Sequence, residues 1–124
     1  MTVTALEQLN LPFAESFNAR DIDGLLALNT DDVVFAPAPG QPVSPEDAVR
    51  GALEQFLGLN MPITMNVRHT FSSGNTGLAI ADWTITGTAP DGSEIALAGT
   101  TADVATFDEE HGWRYAIDNP FGTA

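Results

Sequence analysis

Ile63-Thr64-Met65-Asn66-Val67-Arg68-His69-Thr70-Phe71 places its aliphatic and aromatic residues at alternate positions, whereas the apolar residues before it recur at three- and four-residue steps. Strand side chains point to opposite faces in turn, so the change of period marks where helices give way to a sheet. The odd-numbered residues of this stretch, His69 included, are expected to point inward. Downstream, Gly74-Asn75 and Asp91-Gly92 read as hairpin turns, and Glu109 to Gly112 connects a last pair of strands.

Upstream, Leu6, Leu9, Phe13 and Phe17 give a helical stripe interrupted at Pro12, with Asn10 the expected cap of its second part. Asp21 is placed to cap a short helix carrying Ile22, Leu25, Leu26 and Leu28. Val33 to Phe35 read as a brief strand that ends in a rigid Pro37–Pro42 loop. Ser44-Pro45-Glu46-Asp47 combines a capping serine, an early proline and acids at the positive helix end, and so starts a helix buried through Val49, Leu53, Phe56 and Leu57. Helices first and an antiparallel meander afterwards predict an α+β fold, with the N-terminal helices packed on one face of a curved, mostly antiparallel sheet. Residues 1–124 are expected to form one domain.

The composition narrows the function. Seventeen acids stand against four arginines and no lysine, a formal net charge of −13, which repels nucleic acid and anionic membranes. With no cysteine, thiolate metal sites, disulfides and cysteine nucleophiles are excluded. The two histidines, His69 and His111, form no ligand pair at helical spacing, so a metal site is not expected. The first residues lack a basic and apolar leader, and no apolar run reaches membrane-spanning length. A soluble, cytoplasmic protein is the expectation.

The candidate site comes from the faces of the meander. A two-residue Asp91-Gly92 turn, pairing Pro90 with Ser93, sets Asp82 opposite Thr101 and Asp103 opposite Ile80. Asp82, Thr84, Thr101, Asp103 and Asn119 then point inward among apolar residues, and His69 lies diagonal to Asp82. Interior acids imply either a satisfied network or a pocket that handles a ligand. Asp103, Asp82 and His69 are therefore the candidate acid/base groups, alongside the reading that His69 and Asp82 only hold the strands together. A one-residue slip or bulge would bring Arg68 to Asp82 instead, as an ordinary ion pair. Phe13, Phe17, Phe35, Phe56, Thr84, Thr101, Tyr115, Ile117, Asn119 and Phe121 are the candidate ligand contacts. Asp118 is placed outward beside Arg114. The opposite face, with Ala79, Ala81, Trp83 and Ile85 beside Ala96, Ala98, Thr100, Ala102 and Val104, is too apolar for water. A second copy of the chain is its expected cover.

The order of elements, with Asn29-Thr-Asp-Asp-Val-Val-Phe35 and the Pro-Gly loop, resembles the nuclear transport factor 2-like superfamily over nearly the whole chain. Phe17-Asn-Ala-Arg-Asp-Ile-Asp-Gly-Leu-Leu-Ala-Leu28, Trp83-Thr-Ile-Thr-Gly-Thr-Ala-Pro-Asp-Gly92 and Trp113-Arg-Tyr-Ala-Ile-Asp-Asn-Pro120 are similar to its SnoaL-like branch, which includes polyketide cyclases. The resemblance implies a cone-shaped fold with the helices in its concave face. The ketosteroid isomerases of the superfamily align without gaps onto Asp31–Pro42. On that alignment their base falls on Pro37; elsewhere in the resemblance their first-helix tyrosine falls on Phe13, while their oxyanion aspartic acid matches Asp103 in Asp103-Val-Ala-Thr-Phe-Asp108. Steroid isomerisation by that mechanism lacks two of its three groups. Cyclase-type relatives use a pocket aspartate without metal or cofactor, which implies acid/base chemistry on a small apolar or aromatic molecule. A pocket that binds such a molecule without transforming it is the alternative.

Overall fold

The computed structural model describes residues 2–44 and 46–124. The N-terminal stripe folds as a 3-10 turn (Leu6–Gln8) followed by α1 (Asn10–Asn18). Pro12 sits in the first turn of α1, where its missing N–H breaks no bond. The residue before α1 is Leu9 rather than Asn10, and no side chain caps the helix; Asn10 is buried within the first turn. Asp21 does cap α2 (Ile22–Leu26), accepting from the Gly24 N–H at 3.0 Å. In α3 (Glu46–Leu57) Val49 and Leu53 are buried, while Phe56 and Leu57 pack at the margin of the core. Pro45, expected in the first turn of α3, lies outside the described residues.

The strands are β1 (Asn29–Ala38), β2 (Gln41–Val43), β3 (Ile63–Ser73), β4 (Thr76–Thr88), β5 (Glu94–Thr100), β6 (Asp103–Asp108) and β7 (Gly112–Asp118). The stretch expected as a loop at Pro37–Pro42 is therefore largely a β1–β2 hairpin, with Ala38 opposite Gln41. The seven strands form one sheet in the order β2-β1-β7-β6-β4-β3, with β5 on β4, and only β1 and β7 run parallel. The long β4 is shared, its first residues pairing with β6 and its last with β5.

The α+β class stands, but the cone does not. The sheet is open, ending at β2 on one side and β3 on the other, and is neither closed nor strongly curled. Closure would require those two edges to pair, and the three-residue β2 hairpin ends the sheet instead. The helices lie on one face. Phe17, Leu25, Leu26, Val49 and Leu53 pack there against Val33, Phe35, Ile63, Trp83 and Ile85. Full burial of such side chains is worth roughly 1.5–3 kcal/mol each, so this layer dominates the stability of the fold.

Three local irregularities decide which residues face the helices. The β4–β5 connection holds three residues, Pro90-Asp91-Gly92, because the Ala89 N–H bonds Ser93 at 2.8 Å and Gly92 takes φ +87°. That moves the pairing by one residue from the expected register, to Asp82 opposite Thr100 and Asp103 opposite Ala79. A one-residue slip exchanges the faces. Ala81, Trp83 and Ile85 consequently point into the core, and Thr84 is exposed. In β3 a bulge between Val67 and His69 leaves Arg68 beside Asp82. In β6–β7 a shift between Val104 and Ala105 turns Asp118 inward and leaves Ile117 41% exposed.

Candidate functional site

Between the helices and the sheet lies a narrow pocket. Its cavity volume is about 40 Å³, within about 500 Å³ of space free of atoms that includes the open mouth. Its apolar walls come from Phe13 and Phe17 of α1, Phe35 of β1, Leu53 and Phe56 of α3, Ile63 and Met65 of β3, and Trp83 and Ile85 of β4. The polar part is contributed by Thr101, Asp103, Tyr115 and Asp118, all from the corner after β5 and from β6 and β7. Trp83 is fixed by its indole N–H, which donates to the Pro120 carbonyl at 2.7 Å. Gly99 makes this contact possible, since a Cβ there would stand 2.8 Å from both the Pro120 oxygen and the Trp83 nitrogen.

Asp103 is 3% exposed and its Oδ1 accepts from the Asn119 N–H at 2.8 Å. Burial raises its pKa from 3.8 to about 7, against the opposing effect of hydrogen bonds from Asn119, Thr101 and Asp118. Asp118, equally hidden, is held well above the ordinary carboxyl range by burial first, then by the charge of Asp103 and the bond to it. The two carboxyls therefore behave as a pair in which Asp118 keeps its proton and donates to Asp103. Burial, and then the two acids, also push the Tyr115 phenol up, so it remains an O–H donor. The Thr101 hydroxyl closes the corner by accepting from the Ala81 N–H at 3.0 Å.

The other sequence candidates are distributed differently. Asp82 is on the outer face, half exposed, bonded by the Thr100 hydroxyl at 2.7 Å and 3.5 Å from Arg68. His69 is exposed and stacks on Phe71, so the expected His-Asp-Asp cluster is not formed. Thr84 and Ile117 also lie outside the pocket, for the register reasons given above. Asn119 meets Asp103 through its backbone, while its side-chain amide donates to the Gly122 carbonyl. Phe121 stacks edge-on behind Trp83 at 5.7 Å instead of lining the cavity. Asp118 and Trp83 were missed as pocket residues, and strand alternation alone holds no signal for the bulge that turns Asp118 inward. Among the described residues no group of acids and histidines is arranged to hold a metal ion.

Fold and pocket together define an α+β protein with an aromatic cavity ending in paired acids. The sequence profile of the SnoaL-like domain matches residues 12–115. The chain belongs to this family, within the nuclear transport factor 2-like superfamily. Solved structures show the same fold. A conserved protein from Planctomyces limnophilus superimposes with a TM-score of 0.79 at 23% identity, covering 92% of this chain and 90% of that one. A nuclear transport factor 2-like superfamily protein from Salmonella enterica gives 0.78 at 17% identity, covering 96% and 89%. A ketosteroid isomerase-like protein from Erwinia carotovora gives 0.77 at 17%, covering 91% and 89%. No curated protein matches the chain in sequence. No helix among the described residues is long and apolar enough to cross a membrane.

Proposed function

We propose that the pocket is a cofactor-free acid/base site acting on a small, largely apolar molecule, as an isomerase or cyclase does. The observation that carries this reading is Asp103, a carboxyl at the end of an aromatic slot whose pKa, about 7, suits it to take up and return a proton near neutrality. Asp118 supplies the second proton, and the Tyr115 hydroxyl is placed to donate to a developing oxyanion. The solved ketosteroid isomerase-like relative supports this class of chemistry at the level of fold. Histidine has no part in it, since His69 lies on the other face. The test is solvent-deuterium exchange into ketones first identified by thermal shift. Asp103→Asn should cut exchange by about 10²-fold or more with binding retained. Saturable binding without exchange in the wild-type protein would assign the pocket to ligand binding alone.

We also propose a homodimer through the outer face, on a specific observation. Phe71, Leu78, Val104, Ile117 and Val34 are successive cross-strand partners and form one apolar row over β3, β4, β6, β7 and β1. Phe71 is 59% exposed and Ile117 41%. Isolated exposed apolar residues are ordinary, but a row across five strands resembles a face awaiting a cover. This row replaces most of the face expected from the sequence, of which Ala81, Trp83 and Ile85 are core and Val104 is shared with the row. Sedimentation should find a dimer that Leu78→Glu converts to monomer; a monomeric wild-type chain would refute it.

A further inference from the structure

The pocket's polar end is one-sided in charge. From α1, β1, α3, β3 and β4 the lining carries no titratable group, and among the described residues no arginine reaches it, so Asp103, Asp118 and Tyr115 have no cation beside them, only Thr101, the Asn119 N–H and apolar walls. Beyond the bond between the two acids, neither the Asp118 carboxyl nor the Tyr115 phenol has a hydrogen-bond partner among the described residues, and both side chains are more than nine-tenths buried. A native interior ordinarily satisfies such groups, so their vacancy toward a cavity points to a ligand with a polar end. The walls next to them are rings: Phe13 meets Tyr115 edge-on at 5.9 Å and lies 6.3 Å from Phe17.

We infer that the ligand of this pocket is a small organic cation, a protonated amine whose ammonium group sits between Asp103 and Asp118 and whose apolar body lies along the phenylalanines. This rests on the reading above that the cavity is a ligand site, and adds the chemistry of the ligand's polar end. Three features favour a cation over a neutral alcohol. An ammonium supplies three donors, which the Asp103 carboxylate, the carbonyl oxygen of protonated Asp118 and the lone pairs of the Tyr115 oxygen can accept. It neutralises the Asp103 carboxylate while Asp118 keeps its proton, and charge-assisted bonds in a dry site are stronger than neutral ones. Aromatic faces attract a cation further, and the net charge of −13 draws cations toward the protein while turning carboxylates and phosphates away.

The binding carries a proton signature. At pH 6 Asp103 is largely protonated in the empty pocket, so pairing with an ammonium expels its proton; at pH 8.5 it is already ionised. Calorimetry with 2-phenylethylamine, 2-phenylethanol and phenylacetate, three isosteres of charge +1, 0 and −1, separates the possibilities. The amine should bind at least about tenfold more tightly than the alcohol, and phenylacetate not at all. In buffers of different ionisation enthalpy, amine binding should release about one proton at pH 6 and close to none at pH 8.5. Asp103→Asn and Asp118→Asn, each checked for a cooperative melt, should lose most of the preference. Asp82→Asn, which removes the same charge from the outer face, should keep it. If the alcohol binds as tightly as the amine, or if the preference survives both pocket substitutions, the inference is overturned while the apolar ligand site stands. If none of the three binds, the inference falls, and the acid/base reading is judged separately by ketone exchange.

Discussion

Asp103→Asn should stabilise the protein, and more so as pH rises. The substitution keeps the size of the side chain and the oxygen that accepts from the Asn119 N–H at 2.8 Å, and it removes the ability to ionise. Asp103 has a pKa near 3.8 when unfolded and about 7 when folded, raised chiefly by burial. Between those values the folded chain binds more protons than the unfolded one, so the stability of the wild-type protein declines as pH rises across the interval. One pKa unit corresponds to about 1.4 kcal/mol, and the three or so units here amount to roughly 4 kcal/mol at pH 8. Water entering the slot to solvate the carboxylate reduces that figure, which makes it an upper bound.

Asparagine escapes this loss. The variant should match the wild type within about 1 kcal/mol at pH 4 and exceed it by about 2–4 kcal/mol at pH 8. Urea denaturation at several pH values, followed by tryptophan fluorescence, measures the difference. Taking the difference between the two proteins cancels the contribution of the other sixteen acids, which both share. An advantage that stays flat or shrinks between pH 4 and pH 8 would refute the claim that Asp103 is buried without a compensating cation.

Two further outcomes follow from the packing and the register. Gly99→Ala places a methyl group against the Pro120 oxygen and the Trp83 indole, so it should cost about 1–3 kcal/mol and shift Trp83 emission toward the red as the 2.7 Å bond breaks. Asp82→Asn and His69→Ala, on the outer face, should each change stability by no more than about 0.5 kcal/mol and leave ligand binding and proton exchange at wild-type levels. A loss of exchange in either would return them to the site.

The class of the fold was legible because it depends on periodicity. The alternation over Ile63–Phe71, the Asp21 cap and the buried stripe through Val49 and Leu53 each declare their element over several residues, and a local error does not cancel them. The interior aromatic set was legible for the same reason, since Phe13, Phe17 and Phe56 fall on helical stripes that face the sheet and Phe35 on the strand opposite them. Parity within the meander was not. It depends on the count of residues in each turn and on each bulge, and one residue is enough to invert a face. A two-residue Asp-Gly turn and a three-residue Pro-Asp-Gly turn look alike in sequence, yet the second sends Asp82 outward and brings Trp83 in. Asp103 kept its inward place because the slip inverted β4 relative to β6 and left the face of β6 unchanged.

The bulges also show how the site departs from the pattern it resembles. Without the shift between Val104 and Ala105, β7 would present Ile117 to the pocket and Asp118 to solvent, and Asp103 would be a lone interior acid. With the shift, the acid acquires a protonated partner on the neighbouring strand. The phenol has moved in a comparable way. The resemblance expects a tyrosine on α1, where this chain has Phe13, but the ring of Tyr115 on β7 meets Phe13 edge-on at 5.9 Å and lines the cavity. Alignment to a family compares residues position by position, whereas a pocket is defined by the groups that reach it. Every polar group here arrives from the corner after β5 and from strands β6 and β7, so the chemistry of the pocket is set by strand register more than by the helices that cover it.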